Sequence, residues 1–195
     1  MKKKEAAQVK TIEIYLDVGK YFLAKDWCQK AIKFFTKAIE LNPNHREAYE
    51  YRGIAYGCIH EYEEAIADFM VALRIHDSYA GTFNNLGLSY YKLYCFNEAV
   101  EWYSGAINLF KDGLFYSNRG LAFYYLSEFE KAVSDYNKAI KLKTPDKDVY
   151  TYRGEALASL GKHDRAVADF DKALALNPCD IQAYADRTLV NNWTD

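Results

Sequence analysis

A chain of 195 residues, half of them hydrophobic, argues against disorder and leaves room for one sizeable core or for a string of small stacked units. A net charge of −2 gives no overall attraction for nucleic acid or an anionic membrane surface. No apolar run approaches the ~18 residues that a membrane span requires.

Eighteen tyrosines and eleven phenylalanines, against three prolines and ten glycines, favour helices packed through aromatic rings. The segment MKKKEAAQVK is basic and lacks the apolar stretch of a signal peptide, so residues 1–11 read as a solvated helix lead-in or short tail. Cys28, Cys58, Cys95 and Cys179 are far apart in sequence and form no C-x-x-C pair. They predict neither a metal site nor a disulfide framework, and they fit a reducing compartment, with a cytoplasmic location as the expectation.

The first unit, residues 12–45, reads as two helices over 12–25 and 27–41 joined by a tight turn. Its pattern returns in 46–79, 80–112, 113–146 and 147–180. Gly19, Gly53, Gly87, Gly120 and Gly154 are spaced by 34, 34, 33 and 34 residues. Four residues before each glycine stands Tyr15, Tyr49, Phe83, Tyr116 or Tyr150. Twelve after it stands Ala31, Ala65, Ala99, Ala132 or Ala166, and sixteen after it Phe35, Phe69, Tyr103, Tyr136 or Phe170. Glycine costs a helix interior roughly 1 kcal/mol relative to alanine, so a fixed glycine column predicts close helix packing, with large rings set against small residues.

Prolines in LNPNH (41–45) and LNPCD (176–180) end second helices. The middle units have Asp77, Lys111 and Thr144 at that place, with Pro145 displaced by one, which predicts less rigidly fixed turns. KDG (111–113) reads as an interhelical turn. The last segment, 181–195, keeps an aromatic at Tyr184 but has Thr188 at the glycine phase, and so reads as a capping helix and tail.

These columns resemble the tetratricopeptide repeat, a helix-turn-helix unit of 34 residues. The resemblance covers about residues 12–178. It implies an all-α, right-handed superhelical solenoid of five repeats plus a C-terminal cap.

A second column varies in step with the first. Where Arg52, Arg119 and Arg153 precede the glycine, Asp68, Asp135 and Asp169 stand fifteen residues after it. Where Val18 and Leu86 precede it, Phe34 and Trp102 stand there instead. The midpoints His60, Ser127 and Gly161 fall at the turns, so each antiparallel hairpin is predicted to hold an internal Arg–Asp pair, with the arginine stem packed along it. The competing reading is an arginine row for anionic ligands. Arg187, in the capping segment, is expected to have no partner within its own unit.

No catalytic constellation is legible. His45, His60, His76 and His163 fall at different repeat phases, no pair has the spacing of a metal-binding helix motif, and there is no phosphate loop or nucleophile frame. The reading is therefore a non-enzyme without cofactor or metal. The cysteines read as small buried hydrophobes, with Cys58 the exception.

The resemblance implies that first helices line a concave groove for an extended peptide or partner helix. Its columns would hold Tyr51, Asn85, Asn118 and Tyr152; Ile54, Leu88, Leu121 and Glu155; and Tyr91, Tyr124 and Tyr125. Asn85 and Asn118 share one phase, and an amide that donates and accepts suits a peptide backbone. Superhelical members of the family use asparagine ladders of this kind. Acids at groove phases, including Glu13, Asp17, Glu47, Glu50, Asp148, Glu155 and Asp186, outnumber Lys20 and Lys92, which predicts a basic ligand.

The clamp by which chaperone-binding members grip a terminal carboxylate is not expected. Glu50, Ile54 and Leu114 occupy its lysine and asparagine phases, and Asn85 alone matches. The expected function is a scaffold binding another protein or peptide, without nucleic acid or membrane insertion. Self-association through helical ends or the convex face, and a regulatory module of a larger enzyme assembly, are the alternatives.

Overall fold

A computed structural model describes residues 2–76, 79–143 and 148–191. The expectations at Asp77, Thr144 and Pro145 lie outside the described residues. Among those described there are eleven helices and no strand. They form two compact units, Met1–Cys95 and Phe96–Asp195. The first holds α1 (Lys2–Ala24), α2 (Cys28–Leu41), α3 (Arg46–Cys58), α4 (Tyr62–Ile75) and α5 (Ala80–Lys92). The second holds α6 (Phe96–Leu109), α7 (Gly113–Tyr125), α8 (Phe129–Lys141), α9 (Val149–Ser159), α10 (His163–Leu176) and α11 (Ile181–Asn191). The basic lead-in is part of α1. No helix among the described residues is long and apolar enough to cross a membrane.

Within each unit every helix packs on the next, and first helices also meet one another: α1 with α3, α3 with α5, α7 with α9, and α9 with α11. The fold is all-α and of the solenoid class, each hairpin burying its apolar face against its neighbours. At the glycine column an aromatic ring of the second helix lies against the backbone of the first. A methyl group on Gly53 would stand 2.8 Å from the Phe69 ring, on Gly120 2.9 Å from Tyr136, and on Gly154 2.6 Å from Phe170; Gly19 meets Phe35 in the same way. Those rings are almost wholly buried, as are the alanines flanking them in sequence, Ala31, Ala38, Ala65, Ala72, Ala132, Ala139, Ala166 and Ala173.

The turns inside the hairpins share one backbone. Asp26, His60, Tyr94, Ser127 and Gly161 all have φ between 59° and 70°. The amide of the next residue reaches back to the first helix, as in Trp27 N–H to Phe22 O at 2.9 Å and Glu128 N–H to Phe123 O at 2.9 Å. This is a helix end closed by a left-handed residue, a place that glycine fills most cheaply, yet glycine stands there only at Gly161. Turns between hairpins are set differently. Pro43 and Pro178 follow closely on the ends of α2 and α10, and Asp112 caps α7 by accepting from the Leu114 amide at 2.8 Å.

Two glycines on α3 separate packing from propensity. Gly53→Ala places its methyl against Phe69 and should lower stability by about 1–3 kcal/mol, the usual cost of overpacking. Gly57→Ala meets nothing within 4 Å and should raise stability by up to about 1 kcal/mol through helix propensity. Urea unfolding of the two variants checks the opposite signs.

Candidate functional site

The variable arginines sit on first helices, each meeting the second helix of its own hairpin. Arg52 donates from Nε to Asp68 Oδ2 at 2.7 Å and from Nη2 to Oδ1 at 2.8 Å. Arg119 does the same to Asp135 at 2.7 and 3.0 Å, and Arg153 to Asp169 at 2.6 and 2.6 Å. These are bidentate, charge-assisted pairs. The bonds to Asp68 hold the Arg52 guanidinium above its ordinary range against the opposing effect of burial. Burial pushes the Asp68 carboxyl up, and Arg52 pulls it back. The aromatic column gains a second role here: the guanidiniums lie 5.5, 5.7 and 5.6 Å from the rings of Tyr49, Tyr116 and Tyr150.

Each arginine also has a partner that the sequence reading missed. Nη1 of Arg52 donates to Thr36 Oγ1 at 3.1 Å, that of Arg119 to Ser104 Oγ at 2.9 Å, and that of Arg153 to Asn137 Oδ1 at 2.5 Å. All three acceptors stand on the second helix of the preceding repeat, seventeen residues after its glycine. Arg187 follows the same rule. Asp186 is its neighbour in sequence, yet its Nε lies 2.6 Å from Asp171 Oδ1 on α10, at the same phase. The signal lay in a comparison across the repeat boundary.

In the first unit, Ile54 and Cys58 of α3, Asn85, Leu88 and Lys92 of α5, and His60 line a cavity of about 330 Å³. Ile54 and Asn85 also border a second cavity, of about 240 Å³, beside Glu47, Tyr51 and Tyr79. Tyr51 is half-buried and stacks on the core ring of Phe35 at 5.7 Å, so part of its surface belongs to packing between repeats. Tyr91 is half-buried on α5, with Lys92 Nζ 5.9 Å from its ring centre. Glu50 borders the cavity of about 240 Å³ as well, but its charge is met there rather than free. It is 8% exposed, pairs with Arg46 and accepts from the Thr82 hydroxyl across to α5. Lys20 likewise pairs with Glu47 at 2.5 Å. Counting acids by phase therefore overstates the free negative charge of this face.

In the second unit, Tyr124 shares a cavity of about 190 Å³ with Glu155, Ser159, Phe170, Asp186 and Leu189. Burial, then the neighbouring Asp186, push the Glu155 carboxyl up to about 7. Burial and Glu155 also push the Tyr124 phenol up. Asn118 and Leu121 are half-buried on α7. Tyr125 is exposed and stacks on Phe96 at 5.0 Å, and Tyr152 stacks on Tyr136 at 6.3 Å, as Tyr51 does on Phe35.

The cysteines depart from a uniform buried set: Cys28 is buried, Cys95 intermediate, and Cys58 and Cys179 exposed. Asp26, Cys28 and Cys58 bring their ligand atoms within 4.8 Å of one another. Sequence separation concealed this, because the α1–α2 turn is carried to the end of α3 by repeat stacking. Burial, Cys58 and Asp26 push the Cys28 thiol up to about 12.

Stacked helix hairpins with a glycine–ring contact define a helical-repeat solenoid. The chain belongs to the tetratricopeptide repeat family, whose models match residues 12–45, 34–67 and 117–181. Heat shock protein STI1 of Saccharomyces cerevisiae is 36% identical over 90 residues, 45% of this chain and 15% of its own length. The peroxisomal targeting signal receptor of Kluyveromyces lactis is 30% identical over 97 residues, 50% of this chain and 17% of its own. The chain thus spans less than a fifth of these two relatives. Among solved structures, YrrB, described as a TPR protein with an unusual peptide-binding site, superposes with a TM-score of 0.77 at 23% identity, covering 93% of this chain and 98% of that one.

The pairs differ in burial, and their variants should differ accordingly. Asp135 is 2% exposed, so Asp135→Ala leaves the Arg119 guanidinium half-buried without its main acceptor and should cost about 3–5 kcal/mol. Arg187→Ala removes a surface pair and should cost under about 1 kcal/mol. Chemical denaturation of the two proteins checks the contrast.

Proposed function

We propose that this chain is a non-catalytic scaffold that binds an extended peptide or partner helix of basic character on the face of its first helices. The observation that carries the reading is the coincidence of residues with cavities. Ile54, Asn85 and Leu88 in one unit, and Tyr124 and Glu155 in the other, line hollows on that face. Apolar walls with a few polar groups suit side-chain recognition, and tyrosine serves well as an interface anchor. Membership of a repeat family with relatives such as a targeting signal receptor supports a protein-binding role.

The basic preference rests on the second unit. Glu155 and Asp186 border one cavity beside Tyr124, an arrangement suited to a lysine or arginine side chain. It does not rest on Glu47 and Glu50, whose charge is met internally. A terminal-carboxylate clamp remains outside the proposal, since Glu50, Ile54 and Leu114 supply no cation at its phases.

Self-association is the second reading. It is favoured by the exposure of Ile181, Tyr184 and Leu189 on α11, at 84%, 64% and 55%.

Fluorescence anisotropy with labelled extended peptides, lysine- and arginine-rich against matched acidic ones, tests the first reading. The basic set should bind, and Asn85→Ala/Asn118→Ala/Tyr124→Ala should lose at least about tenfold in affinity, some 1.4 kcal/mol. Equal binding of both sets, or an indifferent triple variant, would reject it. A concentration-dependent dimer in light scattering, with no peptide bound, would support self-association.

The Glu155 carboxyl gives a pH signature. Below about 7 it keeps its proton, and above 7 it is ionised beside Asp186. A cation prefers the ionised pair, so affinity for the basic peptides should rise as pH increases through 7 and then level off. Titrations at several pH values should show that rise in the natural chain and a flat profile in Glu155→Gln.

A further inference from the structure

We propose that Asp26, Cys28 and Cys58 form a binding site for a soft divalent metal ion of the zinc type. Cys28 is the first residue of α2, Cys58 the last of α3, and Asp26 lies in the turn between α1 and α2. One carboxylate oxygen and two sulfurs lie within 4.8 Å of one another, with Cys28 Sγ 3.6 Å from Asp26 Oδ1. A tetrahedral zinc ion with bonds of about 2.3 Å to sulfur and about 2.1 Å to oxygen sets its sulfurs about 3.8 Å apart and sulfur to oxygen about 3.6 Å apart. Cys28 and Asp26 already stand at that spacing, and Cys58 Sγ lies within 4.8 Å of both.

Two thiolates, formed as the ion displaces the thiol protons to solvent, select for zinc, cadmium or cobalt over calcium and magnesium, whose preferred ligands are oxygens. Cys28 is 4% exposed, while Asp26 and Cys58 are exposed, so an ion could enter from the solvent side. A cavity of about 350 Å³ next to Asp26 and Cys28, bordered by Trp27, Lys30 and Ile59, leaves space for water or a further ligand at the fourth position. The ion would tie the turn of the first hairpin to the end of the second hairpin's first helix, and metal should therefore stabilise the stacking of these two repeats.

The test is titration of the reduced chain with cobalt(II), read by absorbance, followed by thermal melting with zinc. One equivalent should give the near-ultraviolet sulfur-to-cobalt charge-transfer band, and zinc should raise the melting temperature. Cys58→Ser, a change at an exposed position, should abolish both effects. Cys28→Ser should do the same if it folds, Asp26→Asn should weaken them, and Cys179→Ser should leave them unchanged. No band in the reduced natural chain, or a band that survives in Cys58→Ser, would overturn the proposal. A Cys28–Cys58 disulfide formed in air, in a chain that binds no cobalt once reduced, would overturn it in favour of a redox pair.

Discussion

The contact between a backbone without a side chain and the edge of an aromatic ring sets the geometry of four hairpins. At Gly19, Gly53, Gly120 and Gly154 the ring of the second helix occupies the space a methyl group would need. Four features follow from this approach. The flanking alanines become fully buried, the first helix must turn back within a few residues, the left-handed turn residue is needed, and the arginine comes within reach of its aspartate. Glycine's poor helix propensity is offset by this density of packing.

The arginines act one level up. A guanidinium has five donors in a rigid plane, and these arginines divide them between two helices. Nε and Nη2 meet the aspartate of the same hairpin, while Nη1 meets an acceptor on the hairpin before. A lysine could reproduce neither the fork nor the division. The tyrosines four before the glycine cover the flat face of the cation, so one aromatic column serves both apolar packing and charge solvation.

Much of this was legible in the sequence because a repeat supplies its own comparison. The 34-residue glycine period and the alternation of Arg–Asp with Val–Phe follow from columns read within a unit. What escaped depends on neighbours. Thr36, Ser104, Asn137 and Asp171 differ in chemistry and share only a position and a partner in the next repeat. Glu50 stands at a groove phase, but its burial is decided by Arg46 one turn back and by Thr82 on α5. The left-handed turns at Asp26, His60, Tyr94 and Ser127 escaped because glycine, their usual marker, is missing. Cys28 and Cys58 meet only because two repeats stack.

The bond from each arginine to the preceding hairpin makes the repeats directional and sets the three arginine repeats apart from the Leu86 repeat. A unit beginning with Arg52, Arg119 or Arg153 needs an oxygen-bearing predecessor, as Thr36, Ser104 and Asn137 provide. Met70 occupies that phase ahead of Leu86, so there an apolar residue precedes an apolar one. Shuffling the modules would strand a guanidinium over a thioether at one seam and press leucine onto a hydroxyl or amide at another. The place of the Leu86 repeat in this chain is thus written into its joints, legible to anyone cutting and splicing its parts.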